Sequence, residues 1–387
     1  LDKKKVLFER MTKKVAVPFI AVTGGAGFIG SAVIWGLNQR GREDVLVVDL
    51  PDKRKTSANL ECLKFKAYID KDAFIEKLSS GQLNDKIEGI IHMGAESSTT
   101  VYDVDYLTQN NFEYTKQLAT WCVKNNKRFV YASSAATYGD GGQGFSDEHS
   151  NLEILKPLNP YAHSKHLFDL WAYKEGLLSK IAGLKYFNCF GPNEYHKAGM
   201  RSMALQAFEQ IKQDGKVKLF KSLKSQYKDG EQLRDFIYVK DAIDMTLFIF
   251  ENEQANGIFN IGTGKARSFN ELVKAVFESM DKEVYPVRDL PASQQAGRSP
   301  ATEAMAGDCT PRCNIGVISN GARIEYIDMP DSIKDKYQYF TQADMAKLIK
   351  AGYKGKIRSL QESVSDYVKN YLLKDNSYLE SGPGSKF

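Results

Sequence analysis

A tyrosine and a lysine four residues apart, Tyr161 and Lys165 in Tyr-Ala-His-Ser-Lys, open a helical stretch and so share one helix face. A phenol with an ordinary pKa near ~10 is a poor base at neutral pH, but a neighbouring ammonium favours the phenolate. The lysine can also hold the ribose of a cofactor. Ser134, just beyond the apolar run Arg128 to Ala132, can hydrogen-bond the same substrate oxygen as the tyrosine. The chemistry open to this trio is proton transfer to and from an oxygen of a bound substrate. Alone, a Tyr and a Lys at this spacing are ordinary surface helix residues, so the surrounding elements decide.

Those elements begin at Phe19. Phe19 to Thr23 is a short β-prone run that ends in Gly24-Gly25-Ala26-Gly27-Phe28-Ile29-Gly30, and Ser31 to Asn38 follows with helical spacing. In such a strand, glycine turn and helix, Gly24 permits the turn, Gly27 lets backbone approach a pyrophosphate, and Gly30 lets helix and strand pack closely. Val45 to Asp49 is a second apolar strand, ending in a carboxylate about 20 residues on, where a ribose contact belongs. The pattern predicts dinucleotide binding. Gly89 to Met93, Arg128 to Ala132 and Gly183 to Phe187 read as further strands, with Asn111 to Lys124 as a helix. Alternation of this kind predicts an α/β fold, a Rossmann doubly wound parallel sheet with a smaller C-terminal α/β substrate-binding domain. Ligands on such sheets lie beyond the carboxyl ends of the strands. That puts chemistry at Gly94–Ser98, Ser133–Gly139 and Asn188–Pro192.

The chain has 387 residues, 42% of them hydrophobic, and a net charge of +5 that is spread rather than gathered in a stripe, which argues against a nucleic-acid partner. No apolar run approaches the ~20 residues that span a bilayer, so no membrane partner is expected. Residues 1–18 are read as an extension without the apolar stretch of a signal peptide. Five scattered cysteines suit a reducing cytoplasm better than a disulfide framework. Cys309 and Cys313 lack a second ligand pair, so no metal site is expected. Residues 19–187 are read as the dinucleotide-binding domain, and 188–282 with 322–374 as a substrate-binding region interleaved with it. The Pro-, Ser-, Ala- and Gly-rich stretch 283–321 reads as a loop or disordered insert, and 375–387 as a flexible tail.

With these residues the sequence resembles the extended short-chain dehydrogenase/reductases that act on nucleotide sugars, and within them the ADP-heptose 6-epimerases. The likeness runs from Phe19 to about Lys282 and resumes from Arg323 to about Leu373. It rests on YASSAATYG (Tyr131–Gly139), YFNCFGPNEYHKAGM (Tyr186–Met200), LRDFIYVKD (Leu233–Asp241), GIFNIGTGKARSF (Gly257–Phe269) and KYQYFTQADM (Lys336–Met345). The His196-Lys197 pair and the YQYFTQAD segment narrow it to the heptose enzymes.

The resemblance implies a tightly bound NADP, with NAD as the alternative, touched by Phe28, Ile29, Asp49, Leu50, Lys71, Met93, Gly94, Ala95, Glu96, Ser97, Asn110, Tyr161, Lys165, Cys189 and Lys197. It implies an ADP-heptose held by Asn188, Gly199, Gln206, Phe220, Lys221, Ser222, Arg234 and Tyr337, and a homo-oligomer, a pentamer in the family. Tyr161 and Lys197 fall on the two acid/base positions. The implied reaction is inversion at heptose C6 for lipopolysaccharide inner-core precursors, by transient oxidation. Leu50, Thr56, Gly199 and Gln206 depart from the family, which commonly has Asn, Lys, Ser and His there. Rival readings are a nucleotide-sugar 4-epimerase, which needs no Lys197, and a non-catalytic dinucleotide sensor, which would not keep Tyr161 and Lys165. A 4,6-dehydratase needs acidic help after the Ser-Ser strand end, where this chain has Ala135 and Ala136.

Overall fold

The computed structural model describes residues 17–53, 57–98, 101–280, 315–318, 322–334, 337–374 and 378–382. Its centre is a parallel seven-stranded sheet built from β1 (Phe19–Thr23), β2 (Val45–Asp49), β3 (Ala67–Asp70), β4 (Ile87–His92), β5 (Arg128–Ser134), β6 (Ala182–Tyr186) and, from far along the chain, β10 (Gly257–Ile261). Spatial order is β10-β6-β5-β4-β1-β2-β3, so the chain reverses direction across the sheet between β1 and β4. Parallel strands covered on both faces need apolar residues without alternation. Ile20–Val22 and Val45–Val48 supply them and are buried throughout.

Helices α1 (Phe28–Gln39), α2 (Lys71–Ser79), α3 (Tyr114–Lys124), α4 (Pro160–Lys174) and α6 (Val239–Glu251) cover the sheet, while α5 (Met203–Asp214), α7 (Phe269–Ser279) and α8 (Leu360–Tyr367) pack together in the C-terminal half. The helix expected from Asn111 is entered through a wider π turn, Thr108–Glu113. Such turns recur at functional sites. Among the described residues no helix is long and apolar enough to cross a membrane.

The C-terminal half carries two small sheets. In one, β9 (Leu233–Tyr238) lies between β7 (Asn188–Phe190) and β11 (Ala266–Ser268). In the other, β13 (Ala322–Ile327) lies between β8 (Lys216–Phe220) and β12 (Ile315–Ile318). β10 instead pairs with β6, from Gly257 opposite Ala182 to Ile261 opposite Tyr186, and so joins the C-terminal half to the central sheet.

Two expectations are corrected. Ile315–Ile318, inside the stretch read as loop or disordered, is a strand paired antiparallel with β13. The composition of the whole stretch hid a short β-branched run. Residues 283–314, Cys309 and Cys313 among them, and most of the N-terminal extension lie outside the described residues. The tail is not all loose either. Leu379 is 1% exposed and packs in the core, because a large apolar side chain gains more from burial than its short segment loses in freedom.

Candidate active site

The turn from β1 into α1 builds a cradle. Gly24 sits at φ +64°, and a Cβ there would come within 2.6 Å of the Gly94 backbone. A Cβ on Gly30 would collide with the Gly24 carbonyl. Gly27 is the N-cap of α1 and supplies no side chain to cap it, so the helix end is open to an anion. Asp49, at the end of β2, accepts from the Ala26 N–H at 2.9 Å and from its own neighbour Leu50 N–H at 2.8 Å. Burial raises its pKa, and these two bonds pull the other way.

A cavity of about 470 Å³ opens here, walled by Gly24, Gly27, Asp49, Leu50, Lys53, Lys71, Met93–Ser97 and Asn110 among others. It continues into a second of about 500 Å³, with Gly27, Met93, Ala95, Ser97 and His196 on both walls. Phe28, Ile29, Gly30, Ser134, Tyr161, Lys165, Asn188, Cys189 and Lys197 line the second. The glycine cradle, the open helix end and a two-part cleft fit an extended dinucleotide. All the residues expected to touch the cofactor line one cavity or the other.

Tyr161 stands in the first turn of α4, which starts at Pro160 behind an Asn159 cap that accepts from the Ala162 N–H at 2.9 Å. Burial pushes its phenol above the ordinary value, a hydrogen bond to Ser134 pulls it down, and Glu96 adds to the rise. The lowering expected from Lys165 is therefore not what the chain alone produces. The Lys165 ammonium donates to the Ala132 carbonyl at 2.8 Å, and burial pushes its own pKa down to about 8 against a partial offset from Asp169. Ser134 Oγ also accepts from the Ala136 N–H at 3.1 Å, which fixes the hydroxyl at the strand end.

Two supporting groups escaped the sequence reading. The buried Asn111 accepts from the Glu96 N–H at 2.9 Å and donates to the Glu96 carbonyl at 2.9 Å and to Ser164 Oγ at 3.0 Å, tying the loop after β4 to α4. Asp169, one turn past Lys165, accepts from Tyr131 (2.9 Å), Ser133 (2.7 Å) and Lys185 (2.8 Å), and so fixes α4 to β5 and β6. Neither has a local sequence signal.

Lys197 lies on a short 3-10 turn, Tyr195–Met200, that follows β7. Its ammonium is 5.3 Å from the Phe28 ring centre, and it shares the second cavity with Tyr161. Glu194 is buried on the wall of the second cavity, and it accepts from the Gly191 N–H at 3.1 Å, the Ser202 N–H at 2.5 Å and Ser202 Oγ at 2.8 Å, which occupy its carboxylate as a local hydrogen-bond partner.

The C-terminal half brings some of the residues expected at the sugar nucleotide together and leaves others apart. Arg234 is buried with its guanidinium 5.0 Å from the Tyr337 ring and 5.7 Å from Phe269, and Phe220 meets Tyr337 edge-on at 6.3 Å. Phe269 in turn lines the second cavity. Arg234 donates to the carbonyls of Leu233 and Gln338, while Asp235 is taken by Thr263, Gly264 and Ala343. Burial lowers the pKa of the Arg234 guanidinium. Lys221 pairs with Asp328 at 3.0 Å, Ser222 N–H donates to Asp229 at 2.8 Å, and Gln206 donates to the Arg201 carbonyl at 2.7 Å. None of these three, nor the exposed Gly199, is on a wall of the two cavities.

Residues 20–262 match the model of the NAD dependent epimerase/dehydratase family. The chain is 44% identical to the ADP-L-glycero-D-manno-heptose-6-epimerase of Nitratidesulfovibrio vulgaris strain Hildenborough, over 92% of this chain and 99% of that one. It is 44% identical to the enzyme so named from Fusobacterium nucleatum, over 93% and 100%. Among solved structures, it is similar to the Helicobacter pylori ADP-L-glycero-D-manno-heptose-6-epimerase (TM-score 0.65, 24% identity, 92% and 96% covered). The Thermus thermophilus UDP-glucose 4-epimerase complexed with NAD is similar too (TM-score 0.61, 23% identity, 91% and 98% covered).

Proposed function

Because the chain belongs to the NAD dependent epimerase/dehydratase family, we propose that it inverts C6 of ADP-D-glycero-β-D-manno-heptose to the L-glycero epimer, a step toward lipopolysaccharide inner-core precursors. One observation carries the reading: Tyr161 and Lys197 stand on the wall of one cavity that opens into the dinucleotide cleft. The likeness to relatives named for this reaction supports it.

The hydrogen on a carbinol carbon is not acidic, so inversion has to pass through a ketone. A nicotinamide dinucleotide held by the glycine cradle, Tyr161 and Lys165 would supply the hydride acceptor and donor that such an inversion needs. The protein's share is position and proton transfer. Tyr161, with Ser134 beside it, serves the substrate oxygen in one orientation of the exocyclic carbon. After rotation that oxygen lies elsewhere, and Lys197 serves it there. The buried Arg234, which among the described residues donates to backbone carbonyls, suits the diphosphate through its planar fork, and the Tyr337 and Phe220 rings beside it suit the adenine. For the cofactor we propose NADP. Both Asp49 oxygens are engaged by backbone N–H groups, and Lys53 on the same wall offers charge to a 2′-phosphate.

The test is to incubate the purified protein with the D-glycero substrate and follow the epimers by NMR. Conversion to a mixture supports the reading. No conversion, together with interconversion of UDP-glucose and UDP-galactose, overturns it in favour of a 4-epimerase.

A further inference from the structure

Lys197 rides on a turn with little core of its own: His196, Gly199 and Met200 are exposed. A lysine has a long, flexible stem, and proton transfer needs its ammonium held to about 0.5 Å. Something outside the turn has to brace it, and the structure contains a brace that starts one residue after Pro192.

Asn193 is fully buried and has φ +80°, one of only two described non-glycine residues with positive φ. Asparagine tolerates that conformation better than most side chains. Its amide nitrogen donates to Ser31 Oγ at 2.9 Å, and Ser31 in turn donates to the Phe28 carbonyl at 3.1 Å. Phe28 is the residue whose ring faces the Lys197 ammonium. On its other side, the Asn193 carbonyl oxygen accepts the Leu379 backbone N–H at 2.9 Å. The carboxamide thus joins the first turn of α1 to the C-terminal segment.

That segment is pinned at several points. The Leu379 side chain is in the core, and the Tyr378 ring meets Tyr195 edge-on at 5.3 Å and 81°. Ser381 donates its N–H to the Cys62 carbonyl at 3.1 Å and its hydroxyl to Asn38 at 2.7 Å. Tyr195 is the first residue of the turn that holds Lys197, whose own N–H donates to the Glu194 carbonyl at 3.1 Å.

We infer that Asn193 and the segment Tyr378–Ser381 are positioning elements for Lys197, strapping its turn onto the dinucleotide half. The inference deepens the proposed function and rests on Lys197 being the second proton-transfer group. Asn193 touches no substrate; it acts through the turn.

The experiment uses the full chain with Asn193→Gly, which keeps the positive φ and removes both bonds, and Leu379→Asp, which undocks the segment. Each is expected to lower kcat about 10- to 100-fold, the scale of a ~1 Å misplacement, with KM and dinucleotide content little changed. In a Lys197→Met background Asn193→Gly should cost nothing further, whereas in a Tyr161→Phe background its loss should multiply. Equal multiplication in both backgrounds would mark a general structural effect and overturn the inference. Hydrogen exchange supplies a readout apart from activity: Tyr195–Met200 amides should exchange faster in both single variants. Unchanged exchange there overturns the strap. A wild-type protein inactive on the heptose overturns the function instead, while exchange still decides the strap.

Discussion

Asp169 and Lys185 form an ion pair at 2.8 Å in which neither side chain meets solvent, one helical turn past Lys165. Through Tyr131 and Ser133 the same carboxylate holds the strand that ends in Ser134. Removing one partner strands a buried charge, so Lys185→Met should cost about 3–5 kcal/mol in urea unfolding. Asp169→Asn together with Lys185→Met should cost less than Lys185→Met alone. Equal or greater loss in the double variant would show that the pair is not the source of the effect.

The two-base assignment predicts that Tyr161→Phe and Lys197→Met each lose about 10²–10⁴-fold in epimerisation, with dinucleotide still bound. Given a 6-aldehyde analogue, each variant should still support dismutation, with opposite stereochemical preferences. Near wild-type epimerisation by Lys197→Met would return that lysine to a solvated role.

Burial of Lys165 has a measurable sign. Its native pKa is about 8 against an ordinary 10.5, so between those values the unfolded chain holds a proton that the native protein has released. Unfolding free energy contributed by this group therefore rises with pH across that window. Urea midpoints of dinucleotide-free protein between pH 8 and 10 should show the rise, and Lys165→Met should flatten it.

The cofactor prediction is NADP(H) bound on purification. Mass spectrometry of the released dinucleotide reads it, and a majority of NAD would contradict it. Lys53→Ala should shift the ratio toward NAD, because it removes a cation from the cavity wall beside Asp49.

Arg234→Lys keeps the charge and loses the planar fork. If the guanidinium grips the diphosphate, KM for the ADP-heptose should rise about tenfold or more with kcat nearly kept, the pattern of lost uniform binding. A fall in kcat at constant KM would place Arg234 at the reacting end instead.

What the sequence made legible was local. The glycine turn, the carboxylate ending β2 and the Tyr161–Lys165 spacing are short patterns whose geometry follows from one strand or one helix, and β1, β2 and β5 lie where the apolar runs put them. The supports of the site are not local. Asn111 meets Ser164 across 53 residues, and Asn193 meets Leu379 across 186. A buried polar pair has no period, so nothing in either segment announces it. The tail misled for a related reason: its Ser and Gly content outweighed a single leucine that the core takes up. Of the expected sugar contacts, Phe220, Arg234 and Tyr337 converge because strands β8 and β9 bring their side chains toward one loop. Lys221 and Ser222 continue past the end of β8 and find partners of their own.

The ladder between β6 and β10 also bears on how the molecule moves. Five residues of the C-terminal half, Gly257 to Ile261, are stitched into the central sheet, and Phe187 N–H adds a bond to the Ile261 carbonyl at 3.0 Å. A clamshell swing of one half against the other would have to tear that seam. Any opening of the cleft is therefore left to pieces shorter than a whole half, along its rim.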